Sequence, residues 1–115
     1  MKYIHEVGYI YLDIKGDNIA LLYESKKKFI NHITIIDYGF CTKYIGNDNL
    51  PLPKEQDPRI NGNLYFSSIN SLFGNPVSPK DDIIALCYYL IDSYKGELLW
   101  YYLSGDNKDK KNVSI

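Results

Sequence analysis

Four polar residues in the first third of the chain could support phosphoryl transfer. Asp13, Lys15 and Asn18 lie in one short polar stretch, and Asp37 follows after two β-prone segments. Phosphoryl transfer needs a carboxylate that accepts the proton of the acceptor hydroxyl and a cation that offsets the phosphate charge. It also needs oxygen donors for Mg²⁺, which prefers carboxylate and amide oxygens. The four side chains supply this set in that order.

The spacing of these residues makes the combination more specific than its parts. Four residues separate Asp13 from Asn18, Lys15 lies two residues after the aspartate, and Asp37 opens an Asp-Tyr-Gly turn. Each motif alone would arise by chance in many proteins, and Asp13 and Asn18 would then form only a turn pair. Together, with two predicted strands between them, they resemble the catalytic loop and the metal-binding turn of protein kinases.

Later segments extend this resemblance to one group of kinases. The segments are GNLYFSSIN at 62–70, SPKDD at 78–82 and KGELLW at 95–100, and they are similar to the casein kinase I and vaccinia-related kinase group. That group has Ser-Ile-Asn or Ser-Ile-Asp where other kinases have Ala-Pro-Glu, then paired acids at the start of the central helix, then Gly-x-Leu-Pro-Trp. Residues 3–9 resemble the helix before its catalytic loop, so the match covers roughly residues 1–103.

The resemblance implies a role for each candidate site residue. Asp13 would be the catalytic base, Lys15 would contact the phosphate, and Asn18 with Asp37 would hold Mg²⁺. Asp82 would accept hydrogen bonds from the backbone of the catalytic loop. The residues themselves support this last role, because an acid in the first turn of an apolar helix needs a partner. The alternative for Asp82 is a charge that only complements the helix dipole.

The expected fold class is α+β: a mainly helical C-terminal lobe of a protein kinase, with a short β-hairpin that carries the catalytic and metal-binding loops. The hairpin strands are predicted at Ile19–Tyr23 and Ile33–Ile36, joined by a polar connection whose basic tip is 26–28. A short helix is expected within 65–73. The partial kinase domain would cover 1–103, and 104–115 would be a polar tail.

The clearest predicted helix follows Ser78. Ser78 suits the N-cap, Pro79 suits the first helical position, and Asp81 lies at the capping-box position. The residues behind them are apolar on nearly every side, which predicts a helix buried within a core. Cys87 lies in this run and is expected to be a buried thiol. Asp17 is expected to be a solvated acid, and His5 and His32 to be structural or exposed.

The sequence departs from the usual kinase pattern at positions that bear on activity. Leu12 replaces the common Arg that pairs with a phosphorylated activation loop, and 43–66 contains no Ser or Thr. We therefore expect no activation by Ser/Thr phosphorylation there. Asn63 replaces the usual Thr, which leaves the geometry around Asp13 open. Only twelve residues precede Asp13, so we expect the ATP-clamp residues and the N-terminal lobe to be absent from this chain, and we expect the chain alone to be inactive or nearly so.

Composition narrows the partners and the compartment. The net charge is −1, so the basic excess that a nucleic acid or an anionic membrane would favour is missing. No apolar signal region or membrane-length run occurs, and we expect an intracellular protein, cytoplasmic or nuclear. By resemblance, it would be a Ser/Thr kinase-like protein that uses Mg²⁺ and ATP if completed by an ATP-binding lobe.

Two other functions remain open from the sequence. The first is a catalytically inactive truncated kinase, or pseudokinase, that binds a partner protein through the surface that the ATP-binding lobe would cover. The second is a small α+β module whose motifs are coincidental. The expected partner is accordingly either a protein substrate or a protein that covers the missing lobe.

Overall fold

The computed structural model describes residues 1–24, 29–53 and 62–102, and of residues 23, 24, 29–31 and 102 it describes the backbone only. The helices are α1 (Lys2–Glu6), α2 (Ile69–Leu72) and α3 (Pro79–Lys95), with 3₁₀ turns at Gly16–Asn18 and Leu99–Tyr102. The strands are β1 (Tyr9–Ile10), β2 (Ile19–Glu24), β3 (Phe29–Ile35) and β4 (Thr42–Lys43). The predicted hairpin tip at 26–28 and the predicted tail at 104–115 lie outside the described residues. None of the helices in the described ranges has the length and apolar character needed to cross a bilayer.

The hairpin formed by β2 and β3 is longer than the sequence predicts. Ile19 pairs with Ile35 and Leu22 with His32, and a register shift follows Leu22. The second strand begins at Phe29 and ends at Ile35, so the predicted start at Ile33 and end at Ile36 were wrong. His32 is exposed. A two-stranded ribbon with exposed side chains accepts polar residues, and apolar alternation therefore did not mark where this strand begins.

A second, very short sheet brings the loop of Asp13 and the loop of Asp37 close to each other. In it β1 pairs antiparallel with β4, with Tyr9 opposite Lys43 and Ile10 opposite Thr42. Gly8 follows the end of α1 and has φ +87°, a conformation that glycine adopts readily. Because β1 immediately precedes the loop that holds Asp13, and β4 follows the turn after Asp37, this pairing brings the two loops to one region.

The start of α3 agrees with the prediction from sequence. Ser78 is the N-cap, Pro79 is the first helical residue, and the Ser78 amide donates to Asp81 Oδ2 at 2.8 Å. Asp81 Oδ1 also accepts from the Ser68 hydroxyl at 2.5 Å, which fastens the segment before α2 to this helix. Gly96, at φ +82°, ends the helix. The helix start is therefore both capped and anchored.

The surface of α3 contradicts the prediction of a helix buried on every side. Only Asp81, Asp82 and Ala85 are buried along it, whereas Leu90 is 55% exposed and Tyr94 is 90% exposed. Cys87, predicted to be a buried thiol, is exposed. The described residues pack along one strip of the helix only, which explains why an apolar sequence on all sides is not matched by burial.

The core lies where that strip meets the loop that holds Asp13. Its buried residues come from four segments, and they are Tyr11, Ile14, Phe66, Ala85 and Leu98. Aromatic rings pack edge to face around them, with Phe66 5.5 Å from Tyr89 and Tyr88 4.8 Å from Trp100. The segment that holds Asp13 thus packs against α3 and against the segments that contribute Phe66 and Leu98.

Candidate active site

Asp82 holds the start of the loop that carries Asp13. Its Oδ2 accepts from the Tyr11 amide and its Oδ1 from the Leu12 amide, both at 2.8 Å. Asp82 is 1% exposed, and His5 Nε2 lies 2.7 Å from Oδ2. A buried carboxylate is stable only when its oxygens are hydrogen-bonded, and these three contacts meet that need. Asp82 therefore binds the backbone and is more than a dipole-complementing charge.

Two left-handed residues shape this loop. Leu12 has φ +66°, which is uncommon for a non-glycine residue, and it follows directly on Tyr11. Gly62, at φ +91°, packs so closely on this turn that a Cβ added there would lie 1.9 Å from the Leu12 carbonyl oxygen. The turn at Leu12 is therefore fixed by Asp82 on one side and covered by Gly62 on the other.

Asp13, Lys15 and Asn18 are in direct contact. Lys15 Nζ lies 3.0 Å from Asp13 Oδ2, and Asn18 Nδ2 donates to the same oxygen at 2.7 Å. Asn18 Nδ2 also donates to the Asp13 carbonyl oxygen at 2.9 Å. Asp13 is 1% exposed, yet it lines an open cavity of about 570 Å³. Its Oδ2 pairs with the Lys15 ammonium and accepts a hydrogen bond from the Asn18 amide, as a buried carboxyl group requires.

Asp37 lies one residue beyond a backbone contact with Asn18. The Ile36 amide donates to the Asn18 carbonyl oxygen at 2.9 Å, and the Tyr11 hydroxyl donates to the Ile36 carbonyl oxygen at 2.5 Å. Asp37 has φ +59°, which Asp tolerates better than most residues, and it is exposed. Its Oδ1 accepts from the Gly39 amide at 3.1 Å. Tyr11 thus connects the two loops through the peptide before Asp37.

Asn18 and Asp37 carry oxygen atoms of the kind that a hard cation binds. Both Asn18 side-chain bonds to Asp13 use Nδ2, so Oδ1 is the atom of this amide that could ligate a metal. Together with a carboxylate oxygen of Asp37 it gives two oxygen donors. In the described ranges no three His, Cys, Asp or Glu side chains converge. Mg²⁺ suits such a sparse set, because it usually keeps waters and substrate phosphates as its other ligands.

The site changes the acidity of Tyr11. Burial, together with repulsion from the carboxylates of Asp13 and Asp37, raises the pKa of the Tyr11 hydroxyl to about 12, although hydrogen bonding to Asn18 opposes this rise. The carboxylates of Asp13 and Asp37 therefore both disfavour ionisation of the same hydroxyl.

Sequence analysis did not predict two contacts of the site, and it left open how Asn63 affects the geometry around Asp13. It gave no partner to His5, whose ring contacts Asp82, and it did not foresee the contact of Gly62 with Leu12. A histidine that lies 77 positions from its partner gives no local sequence signal.

Asn63, which replaces the usual Thr, does not prevent the contact of Lys15 with Asp13. Its Oδ1 accepts a hydrogen bond from the Tyr65 amide at 2.8 Å, and Lys15 contacts Asp13 directly. Asp17 is exposed, in agreement with a solvated acid.

Comparison with known proteins identifies the family to which this chain belongs. The protein kinase domain model matches residues 1–115. The chain therefore belongs to the protein kinase family. A protein named as a probable casein kinase I homolog from Encephalitozoon cuniculi is 31% identical over 100 residues, which cover 87% of this chain and 30% of that protein. A probable serine/threonine-protein kinase from Dictyostelium discoideum is 26% identical over 118 residues, covering 98% of this chain and 23% of that protein. The chain spans less than a third of the length of either relative.

Proposed function

We propose that this chain is the C-terminal lobe of a Ser/Thr protein kinase of the casein kinase I-like group. In the proposal it transfers the γ-phosphate of ATP to protein hydroxyls when an ATP-binding lobe is present, whether encoded beside these residues or supplied by another chain. The observation that carries the proposal is the contact of Asp13, at 1% exposure, with both Lys15 and Asn18. An intracellular location, where ATP is available, is part of the proposal.

Each residue has a task in the proposed reaction. Asp13 accepts the proton of the attacking hydroxyl, because it is a carboxylate that lines an open cavity. Lys15 offsets the charge of the transferring phosphoryl group. Asn18 and Asp37 would hold Mg²⁺, which when bound neutralises charge on the ATP phosphates. Asp82 positions the loop through its two backbone bonds.

The test is a phosphotransfer assay with Mg-ATP, using casein as an acidic acceptor protein and a histone as a basic one. The chain is measured alone and when fused to the ATP-binding lobe of a related kinase. We expect transfer by the fusion, and a loss of about a hundredfold or more in Asp13→Asn, because the proton acceptor is removed. The matched control is Asp48→Asn, since Asp48 is exposed and accepts a hydrogen bond from the Leu50 amide within its own turn. Equal rates in wild type and Asp13→Asn would refute the proposal.

A second candidate function is supported by exposed apolar residues on the hairpin. Leu21 is 54% exposed, Leu22 55% and Ile33 71%, and Leu21 pairs with Ile33 across the ribbon. Large exposed apolar surfaces commonly mark protein contacts. In this alternative the chain is a catalytically inactive pseudokinase that binds a partner protein. Partner binding that survives both Asp13→Asn and Asp37→Asn, but not Ile33→Ser, would favour it over catalysis.

A further inference from the structure

Four consecutive residues after β4 are both apolar and exposed. They are Leu50, Pro51, Leu52 and Pro53, and the two leucines are 61% and 39% exposed. None of the four lines the cavity beside Asp13, and none belongs to the hairpin of β2 and β3. An apolar run of this kind on the surface gains free energy when another molecule covers it.

The order of these residues restricts their backbone to an extended form. The ring of a proline holds its own φ at about −65°, and it confines the preceding residue to the β and polyproline II region. Because Pro51 and Pro53 each follow a leucine, the two effects together act on all four positions. Pro51 accordingly pairs with Ile45 in an antiparallel bridge. A partner therefore meets a segment that it does not have to order, which reduces the entropic cost of binding.

Backbone hydrogen bonds hold the segment against the rest of the chain. The Leu52 amide donates to the Tyr44 carbonyl oxygen at 2.9 Å, and the Gly46 amide donates to the Leu50 carbonyl oxygen at 2.7 Å. The Tyr44 amide in turn donates to the Gly8 carbonyl oxygen at 2.9 Å. The segment is therefore the outer edge of a ribbon that continues the small sheet of β1 and β4.

This edge cannot accept a further β-strand in the usual way. The Leu50 amide already donates to Asp48 Oδ1 at 3.0 Å, the Leu52 amide donates to Tyr44, and the prolines have no N–H. Strand addition needs donors as well as acceptors along the edge. A groove lined by Trp and Tyr suits the segment better, because such grooves bind proline rings and polyproline II backbone.

The surface beside the segment adds a cavity and a positive charge. The cavity has a volume of about 300 Å³ and is lined by residues 51–53 together with Val77 and Lys43. Its size lies at the lower end of the range for ligand pockets, so it suits a single aromatic side chain. Lys43 Nζ contacts Asn47 Oδ1 at 2.5 Å, and within the described ranges no carboxylate pairs with it. A carboxylate at the rim of a partner's groove would complement this charge.

We propose that residues 50–53 are a docking segment for a partner protein whose groove is lined by tryptophan and tyrosine side chains and carries a carboxylate at its rim. The inference goes beyond the proposed function and does not depend on the role of Asp13. It also concerns a different surface from the hairpin of β2 and β3. The partner recognises the proline rings and the leucine side chains, and its carboxylate pairs with Lys43.

The test is a binding titration on the full chain labelled with ¹⁵N and followed by NMR. The probes are an SH3 domain and a WW domain, which have aromatic grooves for polyproline II segments, and a PDZ domain, which binds by strand addition. We expect the SH3 or the WW domain to bind, with shifts centred on the amides of residues 44–52, and the PDZ domain not to bind. The proposal is overturned if neither groove domain binds, if the shifts avoid 44–52, or if the PDZ domain produces the same shifts.

Variants make the test specific to this segment. Replacing both prolines, Pro51→Ala with Pro53→Ala, should weaken binding by about tenfold or more, because the rings and the restricted backbone are both lost. Lys43→Glu should also weaken binding, by an amount that shrinks as salt is raised. Phe73→Ser is the matched control, since Phe73 is 78% exposed and lies outside the segment, and it should bind as wild type does. Wild-type affinity in the double proline variant overturns the proposal, and wild-type affinity of Lys43→Glu at low salt overturns the carboxylate at the rim.

Peptides give a measurement that does not require a variant chain to fold. One peptide has the sequence of residues 47–55, and its twin has alanine at positions 51 and 53. We expect the first to displace the labelled chain from the groove domain at a concentration about tenfold lower than the second, since only the first keeps the proline-restricted backbone. Equal competition by the two peptides overturns the proposal, whatever the stability of the variants.

Discussion

Gly62 lies against the carbonyl oxygen of Leu12, at a distance that leaves no room for a side chain on the glycine. An added Cβ would lie 1.9 Å from that oxygen and 2.9 Å from the Leu12 carbonyl carbon. Both residues have positive φ, +91° for Gly62 and +66° for Leu12. The segment that begins at Gly62 therefore packs directly on the backbone that precedes Asp13.

Gly62→Ala should displace the loop that holds Asp13. We expect the free energy of unfolding to fall by about 3 kcal/mol, because a left-handed alanine is strained and its methyl group overlaps backbone atoms. Gly96→Ala is a matched control, since Gly96 has φ +82° with no atom within 4 Å of an added Cβ, and it should lose only about 1 kcal/mol. Urea unfolding measures both. Equal losses would mean that backbone strain alone matters at Gly62.

Asp82→Asn should weaken the same loop from the opposite side. The asparagine side chain has one acceptor oxygen, so we expect it to accept from only one of the Tyr11 and Leu12 amides. The other backbone amide would face the side-chain NH₂ group, which is itself a donor. We expect a loss of about 3 kcal/mol in the free energy of unfolding, together with faster hydrogen exchange at the Tyr11 and Leu12 amides.

The exposed Asp48→Asn should change the free energy of unfolding by no more than about 0.5 kcal/mol. If Asp82→Asn is as stable as this control and its two amides exchange at the wild-type rate, the anchoring role of Asp82 is wrong.

Local chemistry explains what the sequence predicted well. The start of α3 at Ser78 and Pro79 follows from capping preferences that act within four residues. The contact between Asp13 and Asn18 likewise spans only five positions. Short-range signals of this kind are written directly in the order of the residues, so they could be read without coordinates.

The errors arose where the outcome depends on distant packing. The apolar sequence of α3 indicated burial, yet burial requires other elements to cover each side, and the described residues cover one strip. Cys87 was mispredicted for the same reason. His5 and Asp82 lie 77 positions apart in the sequence, and Gly62 and Leu12 lie 50 apart. Hydrophobic periodicity carries no information about contacts between such distant positions.

Asn18→Asp should lower the free energy of unfolding relative to wild type by an amount that grows from pH 4 to pH 7. The new carboxylate would replace the amide that now lies 2.7 Å from Asp13 Oδ2, and two carboxylates this close cannot both ionise cheaply. The pKa of the pair in the folded state would rise above its unfolded value. The variant should therefore approach wild-type stability near pH 4 and lose about 2 kcal/mol or more by pH 7.

Asn18→Ala lacks the added charge and is the control for the lost hydrogen bonds, so its deficit should stay nearly constant over this range. Thermal unfolding at pH 4 and pH 7 measures both variants. A deficit of Asn18→Asp that does not grow with pH would contradict the contact between residues 13 and 18.

Tyr11→Phe tests the link between the loops of Asp13 and Asp37. The change removes only the hydroxyl that donates to the Ile36 carbonyl oxygen at 2.5 Å, and it should cost about 1 kcal/mol near pH 7. Folding raises the pKa of Tyr11 from 10.0 to about 12, so the unfolded chain releases this proton first as the pH rises. The stability due to the neutral hydroxyl is complete below pH 10 and is lost progressively up to about pH 12.

Wild type should therefore lose up to about 2–3 kcal/mol more than Tyr11→Phe between pH 9 and pH 12, as a two-unit difference in pKa implies. Subtracting the two curves removes the titration of the other tyrosines and of the lysines, which both proteins share. Hydrogen exchange at the Gly39 amide, which donates to Asp37, supplies a local measurement at neutral pH. It should accelerate in Tyr11→Phe, because the peptide before Asp37 is no longer held. Parallel stability curves combined with unchanged exchange at Gly39 would show that Tyr11 does not couple the two loops.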